Sequence, residues 1–365
     1  MKILAIETSC DDTCVAVLKT DGENFEFLSN VISSQIEIHR EWGGIHPTLA
    51  KREHQKNLVP VLTKALAEAE LLEKGNSYLD LSEVLNREDL LSENLSSFLK
   101  KHAKPEIDFI ATTIGPGLDP ALWTGVNTAK ALSFCWNTPL VQVNHIKAHF
   151  LAPIVLESPE FPIISLIASG GHTELVLSKK VGDHSVIGKT RDDAAGECFD
   201  KTARILGLDY PGGPEIELLA KEKTSKKVSL PRPMLKTDDY DFSFSGLKTA
   251  VLYRVKEEKP DRDYKIAMAK EIQEAIIEVL LEKSFRAVEE FKAKTLVVGG
   301  GVSANKLLRE SFKSRESDNL KVILPDIDLS TDNAKMIALA GYLKIKEGDF
   351  SDPKEVKSRP NLKIK

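Results

Sequence analysis

His145 and His149 stand four residues apart in Asn144-His145-Ile146-Lys147-Ala148-His149. A helix over this segment sets both imidazoles on one face, within reach of a single divalent cation. Two structural histidines satisfied by hydrogen bonds would share this spacing. A hydrolytic zinc site of the His-Glu-x-x-His kind also needs a glutamate between its ligands as general base, and here the intervening residues are Ile, Lys and Ala. Asp332, in Ser330-Thr331-Asp332-Asn333-Ala334, offers a third ligand; it is also placed to cap a helix from Asn333 to Leu343. Two imidazoles and one carboxylate with open positions suit Fe(II) or Zn(II) better than magnesium.

A second set of residues suits a phosphate or a ribose. Ser169-Gly170-Gly171-His172-Thr173, Gly212-Gly213-Pro214 and Gly299-Gly300-Gly301-Val302-Ser303-Ala304-Asn305 let backbone amides approach a ligand with no Cβ in the way. Each alone is ordinary turn chemistry. Combined with Asp200, in the helix-like Glu197 to Ala203, they could hold an adenosine, with amides on phosphate and the carboxylate on ribose hydroxyls. No Gly-Lys-Ser/Thr loop of the Walker type accompanies them.

The elements that must position these residues occur twice. Ile3–Ile6, Val15–Leu18 and a run from Phe25, separated by polar turns, predict a three-strand meander, and the order returns in Ile163–Ile167, Leu175–Leu177 and Val186–Gly188. Helical sequence follows each meander, then a buried strand ending in glycines: Phe109–Ala111 before Gly115-Pro116-Gly117, and Thr295–Val298 before Gly299-Gly300-Gly301. A further strand closes each half, at Leu140–Val143 and Lys321–Leu324. The expected fold is α/β, a duplicated actin-like (ASKHA, ribonuclease-H-like) arrangement of two lobes with the ligand in an interlobe cleft. Its lobes are expected at residues 1–138 and 139–325, with 326–365 returning to the first. A leucine-rich segment, 71–105, breaks the symmetry; Leu81, Val84, Leu85, Leu91, Leu95, Phe98 and Leu99 are spaced for an amphipathic helix packed on its own lobe.

Composition bounds the function classes. The 365 residues carry Lys+Arg 50 against Asp+Glu 55, a net charge of -5, with 42% hydrophobic and 29% charged residues. That excludes a disordered chain and a wholesale basic nucleic-acid binder. Cys10, Cys14, Cys135 and Cys198 form neither a disulfide framework nor a Cys-x-x-Cys pair. No signal-peptide core and no membrane-length apolar stretch occurs, so the expected location is the cytoplasm.

Taken in order, the motifs resemble one family along nearly the whole chain: the universal tRNA adenosine threonylcarbamoyltransferases, TsaD in bacteria, once labelled glycoproteases. They run from Ile6-Glu7-Thr8-Ser9-Cys10-Asp11-Asp12-Thr13 through Gly115-Pro116-Gly117-Leu118, the His145/His149 pair and Ser169 to Thr173. Asp192 to Glu197, Tyr210 to Pro214, Asp241 to Thr249, Gly299 to Asn305 and Thr331 to Ala334 follow. The resemblance implies transfer of an L-threonylcarbamoyl group from threonylcarbamoyl-AMP to the N6 amine of the adenosine 3′ of the anticodon in tRNAs reading ANN codons, with release of AMP. It implies metal ligands at His145, His149 and Asp332, with iron as the expected ion and zinc as the other. Nucleotide and acyl contacts are implied at Ile167, Ala168, Ser169, Gly170, Gly171, Asp200, Gly213 and Asn305. Expected partners are tRNA, a TsaB-like paralogue and a TsaE-like ATPase. The chain departs from the family in carrying Lys147 where members commonly have Glu, and Asp12 where Glu is commoner.

The donor is an activated mixed anhydride, so the remaining task beside orientation is to take a proton from a weakly nucleophilic amine. Asp11, on the first meander turn, is the candidate for that role. Pro231 to Lys236 and the basic tail from Lys354 to Lys365 are candidates for RNA phosphate contacts. Three other classes make distinct demands. An actin-like phosphotransferase has no use for the metal set, a metalloprotease lacks its general base, and a catalytically silent scaffold would have lost the three ligands.

Overall fold

In the computed structural model, which describes residues 1–86, 88–258 and 261–364, the apolar runs become the strands expected of them. The first sheet is built from β1 (Lys2–Glu7), β2 (Asp12–Thr20), β3 (Phe25–Ser34), β4 (Phe109–Gly115) and β5 (Leu140–Asn144), in the order β3-β2-β1-β4-β5. The meander pairs are antiparallel, and β4 joins β1 in parallel with Ile3 opposite Phe109. β1 and β4 are buried along nearly their whole length because both of their faces are covered. Around this sheet lie α1 (Ile36–Arg40), α2 (Pro47–Glu68), α3 (Asp89–Lys101), α4 (Asp119–Trp136) and α5 (His145–Glu157).

The second sheet repeats the plan with β6 (Ile163–Ala168), β7 (Thr173–Lys180), β8 (Asp183–Lys189), β9 (Thr295–Gly299) and β10 (Lys321–Ile323), ordered β10-β9-β6-β7-β8. Each β5 or β10 lies beside its glycine-ended strand, so the two orders are the same and the duplicated, actin-like α/β fold is as expected. The helices of this half are α6 (Ala195–Leu206), α7 (Gly212–Ala220), α8 (Ser245–Glu258), α9 (Arg262–Phe291), α10 (Lys306–Lys313) and the short α11 (Ile327–Ser330). The chain then runs into α12 (Ala334–Lys346).

Two compact units result: Met1–Leu156 with Asp332–Lys363, and Glu157–Thr331 with Ile364. The first unit extends past the 138/139 boundary drawn from sequence, because β5 pairs with β4 and carries α5 with it. Asp332 also falls in the first unit. The expectation that a carboxylate of one half would meet imidazoles of the other is therefore corrected: α12 packs on β1, β2 and β5, and a Cβ on Gly341 would lie 2.8 Å from that of Ala111. That close approach brings the residues preceding α12 to the sheet that bears the histidines.

The 71–105 segment differs from the expected single helix. Among its described residues only Asp89–Lys101 is helical; Leu81 and Leu85 lie in the non-helical stretch before it, yet are buried with Leu91, Leu95 and Leu99 in the core of the first unit. Non-helical residues can fill a core without helical periodicity, and the leucine spacing did not distinguish the two. Arg87, within this segment, and Lys365, the end of the basic tail, lie outside the described residues. Among the described residues, no helix is long and apolar enough to cross a membrane.

Because Leu95 is fully buried, Leu95→Ala should destabilise the first unit by about 2–5 kcal/mol. Trp42, Trp123 and Trp136 all lie in that unit, so tryptophan fluorescence during urea unfolding reads its stability directly. An unchanged midpoint would show the segment to be a dispensable surface addition.

Candidate metal centre and nucleotide loops

The helix carrying the histidines starts where β5 ends. Asn144 Oδ1 accepts the Lys147 amide at 3.0 Å, capping the first turn, and its Nδ2 donates to the Lys363 carbonyl at 3.3 Å. His145 and His149 then share one face of α5, with ring centroids 4.8 Å apart and nearly perpendicular planes. Asp332 arrives from the start of α12. Asn333, not Asp332, caps that helix, its side chain accepting the Met336 amide at 3.0 Å. The expected capping role of Asp332 is thus corrected, and its carboxylate is turned to the histidines instead.

Asp332 Oδ1 lies 3.5 Å from His145 Nε2 and 3.3 Å from His149 Nε2. One ligand atom from each residue can be chosen so that all three fall within 4.8 Å of one another. Two donors bound at about 2.0–2.1 Å in tetrahedral geometry lie about 3.3 Å apart, so the spacing fits a shared cation. His149 adds an independent sign: it is 1% exposed, and neither ring nitrogen has a hydrogen-bond partner. A buried imidazole that makes no hydrogen bond, its Nε2 only facing the Asp332 carboxylate, costs stability unless something coordinates it. The donor set therefore fits a divalent metal of borderline softness.

Glu7, at the end of β1, completes the centre. Its Oε2 accepts His145 Nδ1–H at 3.0 Å and the Thr113 hydroxyl at 2.6 Å, and its Oε1 accepts the Ser9 amide at 2.5 Å. Ser9 Oγ also lies 3.1 Å from His145 Nδ1. This fixes the ring orientation and leaves Nε2 facing Asp332, the arrangement by which an outer carboxylate tunes a metal-binding histidine. Burial pushes Glu7 up, but the adjacent His145 charge and hydrogen bond outweigh it and hold the carboxyl below its ordinary value. Burial pushes His145 down, while Asp332 and Glu7 raise it further, to about 9. Sequence reasoning gave Glu7 no role of its own; the signal was an acidic residue closing an apolar strand, where a buried charge requires a partner.

Asp11 follows on the same turn, just before β2, and its backbone carbonyl accepts the Gln35 amide at 3.0 Å. Asp12 beside it is pushed up to about 7, chiefly by burial. Lys147 is half-buried on α5, its amine pushed down by burial and by Lys344 of α12.

In the second unit, Ile167 and Ala168 are buried at the end of β6. The loop beyond them is closed by the Ser169 amide on the His172 carbonyl at 2.8 Å and by the His172 amide on Ser169 Oγ at 3.1 Å. Gly196, in the first turn of α6, packs beneath this loop: its amide donates to the Ser169 carbonyl, and a Cβ there would lie 2.6 Å from that oxygen. At Gly170, Gly171 and Gly301, by contrast, a Cβ would meet nothing within 4 Å. Internal packing does not require glycine at these three positions, whereas an approaching ligand would. Gly300 adopts φ +86 beside the Ala168 carbonyl, a conformation suited to glycine.

Asp200, on α6, accepts the Gly212 amide at 2.7 Å, and burial pushes its carboxyl up to about 6. Gly213 follows in the first turn of α7. Asn305 caps α10, accepting the Leu308 amide at 3.0 Å and donating to Gln273 at 2.8 Å. Asp192 accepts the amides of Phe244 and Ser245, tying the start of α8 to the strand end before α6.

The two RNA-contact candidates are placed differently. Arg232 is drawn inward to Glu271 and Glu278, so its guanidinium serves the fold. The tail from Lys354 docks along the first unit: Val356 is buried, the Arg359 amide donates to the Ile114 carbonyl, and the Gly117 amide donates to the Pro360 carbonyl. Lys354, Lys357, Arg359 and Lys363 remain exposed along it.

Comparison with known proteins shows the family. The family model described as "TsaD: tRNA N6-adenosine threonylcarbamoyltransferase" matches residues 26–75 and 90–339. The enzyme of that name from Thermosipho africanus is 44% identical, covering 100% of both chains. That from Persephonella marina is 45% identical over 95% of this chain and 91% of its own. Component A of the Acidaminococcus fermentans (R)-2-hydroxyglutaryl-CoA dehydratase shares the fold, with a TM-score of 0.51 at 14% identity over 95% of this chain and 99% of its own. The chain belongs to the TsaD family, the tRNA N6-adenosine threonylcarbamoyltransferases.

Proposed function

We propose that this enzyme transfers the L-threonylcarbamoyl group of threonylcarbamoyl-AMP to the N6 amine of the adenosine 3′ of the anticodon in tRNAs reading ANN codons, releasing AMP. The observation that carries the reading is the convergence of His145, His149 and Asp332, with Glu7 behind His145, in a chain of this family. Two imidazoles and one carboxylate favour ferrous iron or zinc over magnesium, and the family resemblance points to iron, with zinc as the competing occupant.

In the reaction the N6–carbonyl bond forms and the bond from the carbamoyl carbon to the phosphate oxygen breaks, AMP leaving with the electron pair. When bound, the cation supplies positive charge toward oxygen developing negative charge. His145, His149 and Asp332 hold it, and Glu7 keeps His145 in the tautomer that presents Nε2. Asp11 accepts the proton lost from the amine or orients that amine. In the second unit, the backbone of Ile167 to Gly171 and of Gly213 lies along the nucleotide, Asp200 meets ribose hydroxyls, and Asn305 fixes the turn after Gly299-Gly300-Gly301. The exposed cations of the docked tail contact tRNA phosphates. A TsaB-like paralogue and a TsaE-like ATPase assist turnover in the cytoplasm.

Incubating the protein with threonylcarbamoyl-AMP and unmodified tRNA, with and without the two partner homologues, followed by nucleoside mass spectrometry, tests the reading. The threonylcarbamoyl nucleoside is expected; its absence under every condition, with folded protein, refutes the proposal. His149→Ala should remove the bound metal and slow transfer by at least about a hundredfold, whereas Asp11→Asn should keep the metal and slow transfer by about 10²–10⁴-fold.

The metal-free centre also sets a pH dependence. The folded value of His145 lies above its ordinary one, so the stability gained from its cation is full below about pH 6.5 and disappears as pH rises through about 9. A metal must displace that proton. Apparent metal affinity should therefore climb by about tenfold per pH unit toward about 9 and then level off, as read by competition with a chromophoric chelator. A flat profile would remove His145 from the ligand set.

A further inference from the structure

His54 lies on α2, far in sequence from the metal ligands, and is fully buried. Its Nε2 is 3.0 Å from the Cys10 carbonyl, and its Nδ1 is 2.7 Å from Thr13 Oγ1. A carbonyl oxygen only accepts, so Nε2 carries the proton and Nδ1 presents a lone pair to the Thr13 hydroxyl. Both ring nitrogens are satisfied and the tautomer is fixed. Burial pushes the imidazole down to about 4, which keeps the ring neutral through the physiological range.

The two groups that His54 joins bracket Asp11 and Asp12. The Cys10 carbonyl belongs to the peptide plane that leads into Asp11, and the plane leaving Asp11 is held by the Gln35 amide on the Asp11 carbonyl at 3.0 Å. Gln35 is itself buried, and its Oε1 accepts His39 Nε2–H at 3.1 Å. The turn is anchored at its other end by Ser9, which touches both Glu7 and His145. Asp11 therefore projects from a turn whose backbone is fixed on both sides, and His54 supplies one of the fixings across 44 residues of sequence.

We propose that His54 is a positioning residue for the transfer reaction, acting through the Cys10–Asp11 peptide and Thr13 to hold the Asp11 carboxylate in its working orientation. The inference rests on the role given to Asp11 above. A misplacement near 1 Å can cost about a hundredfold in rate, and the imidazole bridge is what opposes such a displacement. Glutamine can substitute in part, because its side-chain amide carries an acceptor and a donor flanking one carbon, as Nδ1 and Nε2 flank a carbon of the ring.

The test is single-turnover transfer from threonylcarbamoyl-AMP to tRNA with the assembled system, together with metal content and the KM for the donor. His54→Leu should lower the rate by about a hundredfold with metal content and KM unchanged, and His54→Gln should recover at least about tenfold of that loss. Added to Asp11→Asn, His54→Leu should cost little further, because it acts through the group already removed. Thr13→Val, which keeps the side-chain shape, should lower the rate by up to about tenfold and also lose its effect in the Asp11→Asn background. It decides the matter where His54→Leu does not fold. Full additivity with Asp11→Asn, an unchanged rate in folded His54→Leu, recovery by Gln no better than by Leu, or loss of metal would each overturn the proposal. An inactive wild-type protein would instead overturn the function proposed above.

Discussion

Glu7 is 1% exposed, and its carboxylate shares His145, the Thr113 hydroxyl and the Ser9 amide as partners. A charge buried this deeply is tolerated only when paired and hydrogen-bonded. The pairing has consequences on every side. It orients the His145 ring, which fixes where Nε2 points, and it fixes Ser9, which leads into the turn carrying Asp11. The first strand, β4 through Thr113, the histidine helix and the meander turn thus meet at one carboxylate. The centre is preorganised by the sheet itself, with rigid elements holding the ligands.

The second unit solves a different problem by similar means. Gly196 and Gly212 are small because neighbouring backbone crowds them, whereas Gly170, Gly171 and Gly301 are small facing open space. The first kind lets α6 approach the Ser169 loop and α7 approach α6 closely. The second kind leaves amide-bearing backbone accessible to a ligand. Asp200 belongs to the supporting framework through the Gly212 amide and still offers a carboxylate shifted toward neutrality by burial. Asn305 serves as a cap, its side chain accepting the Leu308 amide and donating to Gln273.

The duplication was legible because strands that alternate with turn residues leave a pattern of period and punctuation, and that pattern came twice in the same order. The histidine pair was legible because helical spacing converts four residues into one face. Glu7 was obscure as a participant because its partner is 138 residues away, and His54 for the same reason. Asp332 and Asn333 are adjacent and both chemically able to cap a helix, so only the backbone path shows which one does. In the 71–105 segment the leucines Leu81 and Leu85 are buried as the periodicity suggested, but from a non-helical stretch. Burial was readable there and conformation was not.

The claim on which the rest depends is that two imidazoles and one carboxylate of the first unit bind one cation. X-ray absorption fine structure of the protein loaded anaerobically with ferrous iron measures this directly. The expected spectrum shows one iron per chain, with scattering from two imidazole rings bound at about 2.0–2.2 Å and oxygen donors in the remaining positions, and the His149→Ala protein holds no iron at this site. A spectrum with no imidazole scattering, or one that His149→Ala leaves unchanged, would contradict the account.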